Sequence, residues 1–389
     1  MVSLLQLARK QLGKIGLGLA ALTLAACQPA PMSTSPGLGA GETVQVALLV
    51  PSGSGQASDE LLARSLENAA RMAITDLGSS AKIDLRVYPT AGQAAQAQAA
   101  AVQAMDEGAA VILGPVFAQE ANAAGVAAAQ RGVNVLSFSN NPSIAGGNVF
   151  VLGPLFETTA ARLASYAVRN GKGRIMIVHD QNAQGEAGRT AIQQGVARAG
   201  GSVVATGSYE FSQNGIVQAV PQIAAQATAA GAQSIFMTAD TAGALPLVSQ
   251  LLSENGAPPS AVQYIGLTRW DIPAATITLP GVQGGWFAMP DPALYAQYQS
   301  RYQTAYGEPP HPISGLAYDG IAAIGALAKQ GRAPDAAALT QGAGFVGVNG
   351  IFRLLGNGTN ERGLAVAQIQ NNSVVVIDSA PRAFGGAGF

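Results

Sequence analysis

The sequence predicts an α/β fold made of two lobes, each with a doubly wound parallel sheet. Short, continuous apolar runs recur along the chain, and each leads through a loop into a stretch with apolar residues at helical spacing. Strands that alternate with helices indicate βαβ units and therefore parallel sheets. Residues 27–389 are also too many for one hydrophobic core, so two lobes are expected.

Residues 1–26 have the pattern of a signal peptide. Arg9, Lys10 and Lys14 form a basic head, and residues 15–26 are uncharged and rich in Leu, Ala and Gly. This apolar stretch is shorter than the ~20 residues that a membrane-spanning helix needs. A basic head, a short apolar core and small residues at the end predict a secretory signal.

The single cysteine, Cys27, follows this stretch directly. Residues 24–27 (LAAC) resemble the lipobox of bacterial lipoproteins, in which the chain is cut before the cysteine and the cysteine is acylated. The resemblance implies a lipid anchor at Cys27 and a place at the periplasmic face of the cell envelope, and Gln28 favours the outer membrane. A free thiol in an ordinary signal peptide is the alternative. Residues 27–42 are rich in Pro, Ser and Gly and predict a flexible tether.

The first series of elements begins with VQVALLV (44–50), which predicts a buried strand that ends in the loop PSGSG. Continuous apolar runs of this kind are typical of parallel strands that are covered on both faces. A helix is predicted over 59–76. Further strands are predicted over 83–89, 109–115, 133–140 and 149–155, with helices over 94–107 and 119–131.

The second series repeats the same alternation. Its predicted strands are 174–180, 202–210, 232–240, 261–267 and 281–289, and its predicted helices are 158–170, 187–199, 216–230, 245–255, 292–306 and 314–329. The end of the chain differs, because short apolar segments between 350 and 378 are separated by GNG and NN. These turn sequences predict hairpins between antiparallel strands.

The order of these elements resembles the type I periplasmic binding proteins of the leucine/isoleucine/valine-binding family, over about residues 43–381. The resemblance is carried, in chain order, by VQVALLVPSGSG, VILGP, VNVLSFSNNPSIA, RIMIVHDQNAQGEAGRTAIQQGVARAGGSVV and ISGLAYDGIAAIGAL. The segment GFVGVNGIFRLLGNGTNERGLAVAQIQ (344–370) also resembles lipoproteins of this fold that are described as activators of penicillin-binding proteins.

This resemblance implies two lobes joined by three hinge crossings. Lobe 1 is expected to hold 43–153 and 291–343, lobe 2 to hold 154–290 and 344–381, and 382–389 to form a tail. A ligand would lie in the cleft between the lobes, where the carboxyl ends of parallel strands bind ligands. Hinge closure would couple ligand capture to a change of shape.

The resemblance also places a set of loop residues in the cleft. The expected ligand-binding residues are Ser52, Gly53, Gln119, Ser139, Asn141, Gln184, Asp240, Thr268 and Trp270. Several of them depart from the family pattern. Gln184 stands where the family has a tyrosine, and Thr268 stands where it has the glutamate that binds an ammonium group.

These departures change the expected ligand. A buried ammonium group without a carboxylate partner is costly, so a branched-chain amino acid is not expected. The cleft, with Arg269 next to Thr268, suits a small polar solute that is amino-acid-like, peptide-like or anionic. Asp240 or Asp271 could replace the missing glutamate. The remaining alternative is that these are ordinary solvated loop residues and that the cleft binds nothing tightly.

Other chemistry finds little support in the sequence. The net charge is −1 with 11% charged residues, so no nucleic-acid partner is expected. His179 and His311 are far apart, and no metal-ligand spacing occurs. No dinucleotide fingerprint or catalytic motif is present. The expectation is therefore a protein that is not an enzyme and has no cofactor and no metal site.

Two functions remain open. The first is a lipoprotein that binds a small polar solute as the substrate-binding component of ABC-type transport, with an ABC permease as partner. The second is a lipoprotein activator of a penicillin-binding protein, which regulates a peptidoglycan synthase by protein contacts. The altered cleft, Gln28 and the 344–370 segment favour the second. The absence of a helical-repeat domain before residue 43 counts against it.

Overall fold

A computed structural model describes residues 42–385, and the first part of these forms a parallel five-stranded sheet. The strand order is β2-β1-β3-β4-β5. Its elements are β1 (Thr43–Val50), α1 (Ala57–Leu77), β2 (Lys82–Pro89), α2 (Ala94–Asp106), β3 (Val111–Leu113), α3 (Ala118–Ala129), β4 (Asn134–Ser137) and β5 (Val149–Val151).

Strand β1 shows why its sequence is continuously apolar. Leu48 and Leu49 are both fully buried, yet they belong to different core clusters on opposite faces of the sheet. Successive side chains of a strand point to opposite faces, so a strand covered on both faces needs apolar residues at every position. The first lobe is therefore a three-layered unit with this sheet at its centre.

The second lobe is built around a seven-stranded sheet whose first five strands are parallel, in the order β7-β6-β8-β9-β10. Ile177 and Val178 on β6 again belong to separate clusters on the two faces. The elements of this series are α4 (Phe156–Arg169), β6 (Arg174–Asp180), α5 (Ala183–Arg198), β7 (Ser202–Tyr209), α6 (Gln213–Ala229), β8 (Ser234–Met237), α7 (Leu245–Glu254), β9 (Gln263–Gly266) and β10 (Trp286–Met289).

The chain then returns to the first lobe before it ends in the second. The remaining elements are α8 (Pro292–Tyr306), α9 (Gly315–Lys329), α10 (Ala336–Leu339), β11 (Phe345–Gly347), β12 (Gly350–Leu354), β13 (Asn360–Arg362), β14 (Ala365–Gln370) and β15 (Ser373–Asp378). Strands β11 to β13 form a small antiparallel sheet, and β14 and β15 extend the second sheet antiparallel to β10.

The small sheet packs on the first lobe, which differs from the expected division at 343–344. Phe345 and Phe352 lie in the same core cluster as Tyr298 of α8 and Leu316 of α9. The backbone N–H of Val151 also donates to the carbonyl oxygen of Gly358 at 2.8 Å. The third crossing to the second lobe therefore comes at 363–364, after the apolar side chains of β11 and β12 have been buried in the first lobe.

The predicted fold class and most of the predicted elements are confirmed. The strand over 174–180 and the helix over 292–306 have the predicted bounds. Asn371 and Asn372 both have left-handed φ values, 49° and 59°, as a tight hairpin turn between β14 and β15 requires. The short elements α10 and β11 had no prediction. The strand predicted over 281–289 begins only at Trp286, because 280–282 forms a 3-10 turn.

Within residues 42–385, no helix combines the length and the apolar character needed to cross a lipid bilayer. The predictions for the signal peptide, for acylation at Cys27 and for most of the tether and the extreme carboxyl end lie outside the described residues.

Candidate functional site

A cavity of about 300 Å³ lies between the lobes, next to the places where the chain crosses from one lobe to the other. Residues of all three crossings line it: Leu155 from the first, Pro290 from the second, and Arg362 and Leu364 from the third. The first lobe adds Asn140, Tyr295, Ile313, Leu316 and Asn349, and the second adds Leu267, Thr268, Arg269, Ile272 and Met289. Because both lobes form its walls, any movement about the crossings changes its shape.

The third crossing is tied to the first by the side chain of Asn360. Its Nδ2 donates to the carbonyl oxygens of Val151 and Gly153, both at 2.8 Å. The hydroxyl of Thr158 donates in turn to the carbonyl oxygen of Asn360 at 3.1 Å. Val151 is the last residue of β5 and Gly153 lies just beyond it, so the amide supplies a partner to buried carbonyl oxygens where the sheet ladder ends.

A buried ion pair reinforces the same crossing. Arg362 Nη1 donates to Asp319 Oδ2 at 2.9 Å, and the Arg362 and Asp319 side chains are only 4% and 0% exposed. Arg362 Nη2 also donates to the carbonyl oxygen of Leu152 at 2.6 Å, and Asn349 Nδ2 donates to Asp319 Oδ2 at 3.0 Å. Both charges are thus compensated, which a buried pair requires. Arg362 is also one of the residues that line the cavity.

One residue of the cavity wall, Thr268, carries a buried hydroxyl without a described partner. Thr268 Oγ1 is buried, and no described residue forms a hydrogen bond with it. A buried hydroxyl without a partner costs about 1–3 kcal/mol. Thr268 comes just after β9, at the carboxyl end of the parallel sheet, and its position therefore suits a group that interacts with a bound molecule.

Arg269, the next residue, is held by a carboxylate two residues further on. Arg269 Nε donates to Asp271 Oδ1 at 2.8 Å, and its Nη2 pairs with Asp271 Oδ2. Tyr295 of the first lobe lies close to this pair. Burial raises the pKa of Tyr295, the Arg269 guanidinium lowers it and the Asp271 carboxylate raises it further. Residues of the two lobes thus influence one another electrostatically across the cavity.

The residues expected in the first-lobe loops are not among those that line the cavity. The Ser52 carbonyl oxygen accepts from the backbone N–H of Ala91 at 3.0 Å. The backbone N–H of Gly53 donates to Glu60 Oε1 at 2.6 Å. Gln119 is exposed on the first turn of α3. These groups stabilise their own loops, and their role in ligand binding stays a prediction.

The loop after β4 supplies one lining residue, but it is Asn140 rather than its neighbours. The Ser139 hydroxyl accepts from the backbone N–H of Asn141 at 3.1 Å, and Asn141 Oδ1 accepts from the backbone N–H of Ser143 at 2.9 Å. Ser139 and Asn141 are therefore used in the turn itself. A one-residue difference of this kind depends on the turn geometry, which the sequence pattern did not resolve.

Two of the residues expected in the second lobe also lie away from the cavity lining. Gln184 is exposed on the first turn of α5. Asp240 is half-buried, and its Oδ1 has no hydrogen-bond partner among residues 42–385. Thr268 is the one member of the expected set that lines this cavity.

Trp270 is a core residue, which corrects its expected place in the cleft. It is fully buried and belongs to the cluster on one face of the second sheet. Gly266 and Gly285 leave room for the indole ring, because a Cβ atom on either glycine would overlap it. An indole needs this much space in the core, and the two glycines provide it close to the sheet.

Glu120 is a further buried acidic residue, at the carboxyl end of the first sheet. It is 1% exposed, and neither carboxylate oxygen has a hydrogen bond of ordinary geometry within the described chain. Burial raises the pKa of Glu120, while the nearby Thr90 hydroxyl and Phe117 amide act in the opposite direction. The sequence analysis did not single out Glu120, and its neighbour Gln119, which was expected to bind a ligand, is exposed.

Comparison with known proteins agrees with the fold. The family described as "Periplasmic binding protein" matches residues 43–373. No curated protein matches the chain. A Rhodospirillum rubrum structure, described as a candidate branched-chain amino acid ABC transporter, has a TM-score of 0.70 at 18% identity, over 86% of this chain and 99% of that one.

Two further structures were determined with ligands. An ABC transporter substrate-binding protein of Desulfitobacterium hafniense in complex with Leu has a TM-score of 0.63 at 19% identity, over 86% of this chain and 100% of that one. A solute-binding protein of an ABC transporter from Rhodopseudomonas palustris, in complex with 3,4-dihydroxybenzoic acid, has a TM-score of 0.57 at 17% identity, over 87% and 98% of the two chains. At these identities the similarity shows a shared fold.

Proposed function

Because the chain belongs to the periplasmic binding proteins, of the type that includes the leucine/isoleucine/valine-binding family, we propose that it captures a small solute between its lobes and delivers it to an ATP-driven importer. One observation carries this proposal. The cavity is lined by both lobes and by residues of all three crossings, so a solute held there can stabilise one relative position of the lobes.

The proposed mechanism is closure about the crossings. The contacts of Asn360 and Arg362 hold the crossings in register, so the lobes rotate as bodies rather than separating. A solute that contacts Thr268 and Arg269 on one side and Asn140 and Tyr295 on the other favours the closed form. The importer would then recognise the closed surface and receive the solute chemically unchanged.

The proposed place of action is the periplasmic side of the cell envelope. A lipid anchor at Cys27 would keep the protein near a membrane, and the tether over 27–42 would let the lobes reach a permease. These parts stay predictions. Membrane fractionation of the full chain and of Cys27→Ala tests them: the variant is expected in the soluble periplasmic fraction, and equal distribution of both proteins would contradict the anchor.

The binding experiment uses the full mature chain and a panel of amino acids, dipeptides, sugars and aliphatic and aromatic acids. Thermal shift identifies binders, calorimetry measures affinity, and small-angle scattering with and without the binder measures closure. A ligand at 100 times its Kd is expected to stabilise the protein by about 2.7 kcal/mol. A smaller radius of gyration with the binder is expected.

The same experiment addresses regulation of a peptidoglycan synthase, the alternative function. The described residues offer no observation of their own in favour of it. If the whole panel leaves melting temperature and scattering unchanged, while the immobilised protein retains a purified penicillin-binding protein, solute capture is contradicted.

A further inference from the structure

We propose that the solute is a small monocarboxylate with an apolar body and no amino group, and that its carboxylate binds next to Arg269 and Thr268. This inference rests on the proposed function and specifies the solute for the cavity between the lobes.

The charged residues of the cavity wall are all basic. Arg269 and Arg362 line the cavity, and no aspartate or glutamate of the described chain does so. Their acidic partners lie outside the lining: Asp319 is fully buried behind Arg362, and Asp271 is only 14% exposed beside Arg269. Each ion pair therefore presents its positive end to the cavity, which favours an anion over a cation.

The amino end of α4 adds to this polarity. Leu155, Phe156 and Thr159 line the cavity, and Leu155 at the N-cap offers no side-chain acceptor to the first backbone N–H groups of the helix. A helix amino end carries a partial positive charge. Glu157 stands on the same turn, but its side chain is not part of the wall. The helix amino end thus adds the same sign of charge as the two arginines, although the Glu157 carboxylate, one oxygen of which is buried, offsets part of it.

The Thr268 hydroxyl provides an independent reason to expect an acceptor in the solute. Its oxygen is buried without a hydrogen-bond partner among the described residues. A carboxylate oxygen would accept its proton and satisfy it, and hydrogen bonds to charged groups are stronger than those to neutral groups. Arg269 lines the same cavity, and its pairing with Asp271 uses only Nε and Nη2.

Much of the remaining wall is apolar and limits the body of the solute, although Asn140, Thr159, Tyr295 and Asn349 also line it. The apolar side chains of the wall include Leu267, Ile272, Met289, Ile313 and Leu316. A sugar would lose the hydrogen bonds of most of its hydroxyls against these side chains, which is unfavourable. The volume of about 300 Å³ is at the small end of known ligand cavities, so a body of the size of an isobutyl or phenyl group is expected.

An α-amino acid fits this wall poorly, for the same reason of charge. Its ammonium group would be buried near two guanidinium groups and a helix amino end, with no carboxylate in the wall to compensate it. Removing the amino group from the same carbon skeleton should therefore increase affinity. That comparison isolates the effect of the amino group, because the apolar body and the carboxylate stay the same.

The test uses matched probes and calorimetry on the full mature chain. The probes are 4-methylpentanoate, its primary amide and leucine, and then 3-phenylpropanoate, its amide and phenylalanine. At least one acid is expected to bind ten times more tightly than the amide and the amino acid of its own set. Arg269→Gln should weaken the acid at least tenfold and the amide much less, so that the preference for the acid over the amide is lost.

Matched variants separate ligand effects from damage to the fold. Arg189→Gln is the control, because Arg189 lies in the same lobe and pairs with the nearby Glu186 at 2.7 Å, but is not part of the cavity wall. It should bind the acid as the parent protein does. Thr268→Val should weaken the acid by about threefold or more while the protein stays as stable as the parent.

The outcomes distinguish this inference from the proposed function. If an amino acid, a sugar or an amide binds and closes the lobes while neither acid binds more tightly, the monocarboxylate inference is overturned and solute capture stands. If none of the probes or panel compounds binds, both proposals fail.

Discussion

Two neighbouring groups of polar side chains in this protein differ in how completely their charges and hydrogen bonds are satisfied. At the third crossing, Arg362 and Asp319 compensate each other's charge and bind further partners around them. In the cavity beside them, Thr268 has a buried hydroxyl without a described partner, and Arg269 keeps one nitrogen available. The first group is complete without a ligand and the second is not. The crossing is therefore expected to stabilise the fold by itself, whereas the proposed solute would complete the hydrogen bonds of the cavity.

The largest effect on stability is expected from breaking the Arg362–Asp319 pair at the third crossing. Arg362→Met leaves the Asp319 charge buried without its partner and should lower the free energy of unfolding by about 3–5 kcal/mol. Denaturant unfolding measures this. The control is Arg301→Met, since the Arg301–Asp76 pair is largely exposed and should contribute less than about 1 kcal/mol. Equal losses in the two variants would show that the crossing has no special role.

A smaller loss of stability is expected from a substitution at Asn360. Asn360→Leu leaves the carbonyl oxygens of Val151 and Gly153 without the amide that they share, which should cost about 2–3 kcal/mol. The control is Asn170→Leu, which removes a 2.8 Å hydrogen bond to the carbonyl oxygen of Tyr166 on the surface and should change stability by about 0.5 kcal/mol or less. If both variants unfold at the same denaturant concentration, water has replaced the Asn360 amide as the hydrogen-bond donor to the two carbonyl oxygens.

Glu120 allows a further test of this comparison, because it lies outside the cavity wall and neither of its carboxylate oxygens has a hydrogen bond of ordinary geometry among the described residues. Burial raises the pKa of its carboxyl in the folded protein. The folded state therefore binds this proton more tightly than the unfolded state, and stability falls as the pH rises above the unfolded value of about 4.3. Glu120→Gln should gain about 1 kcal/mol at pH 7.5 and little at pH 4.

Thermal unfolding of the parent and Glu120→Gln at the two pH values measures this difference. A gain of the same size at pH 4 would mean that charge burial is not its cause. A loss of stability at pH 7.5 would mean that the carboxylate has a favourable partner.

The smallest effect on stability is expected from a substitution at Thr268. Thr268→Val removes a hydroxyl that has no partner among the described residues, so stability should stay equal or rise by less than about 1 kcal/mol. The control is Thr238→Val, which loses the 2.7 Å hydrogen bond from its hydroxyl to Asp180 Oδ1 and should be destabilised by about 1–2 kcal/mol. If the two substitutions cost the same in denaturant unfolding, Thr268 has an internal role in the fold.

Much of the fold could be predicted because its signals are local. The strand over 174–180 is apolar on both faces, and the helix over 292–306 begins with Pro292 after Asp291, whose Oδ1 accepts from the backbone N–H groups of Ala293 and Leu294. The paired asparagines 371 and 372 adopt left-handed backbone conformations, which marks the last hairpin. Each of these features depends on residues that are close in the sequence.

The candidate site was much less accessible to sequence analysis. Trp270 was expected in the cleft, but the space left by Gly266 and Gly285 places it in the core. Tyr295 and Arg362 line the cavity, yet neither stands in the loops that the family resemblance indicated. Their side chains meet there because the chain returns to the first lobe between β10 and β14 of the second lobe, and α8 and β13 both lie in that stretch.

The sequence by itself determined the order and type of the elements, since burial on one or both faces of a strand or helix appears as a short period in the chain. Only the tertiary structure decided which polar groups are paired and which are not. Asp319 and Arg362 compensate each other across 43 positions, and Thr268 remains without a described partner, because hydrogen bonds and ion pairs depend on distances of about 3 Å. A one-dimensional pattern contains no such distances.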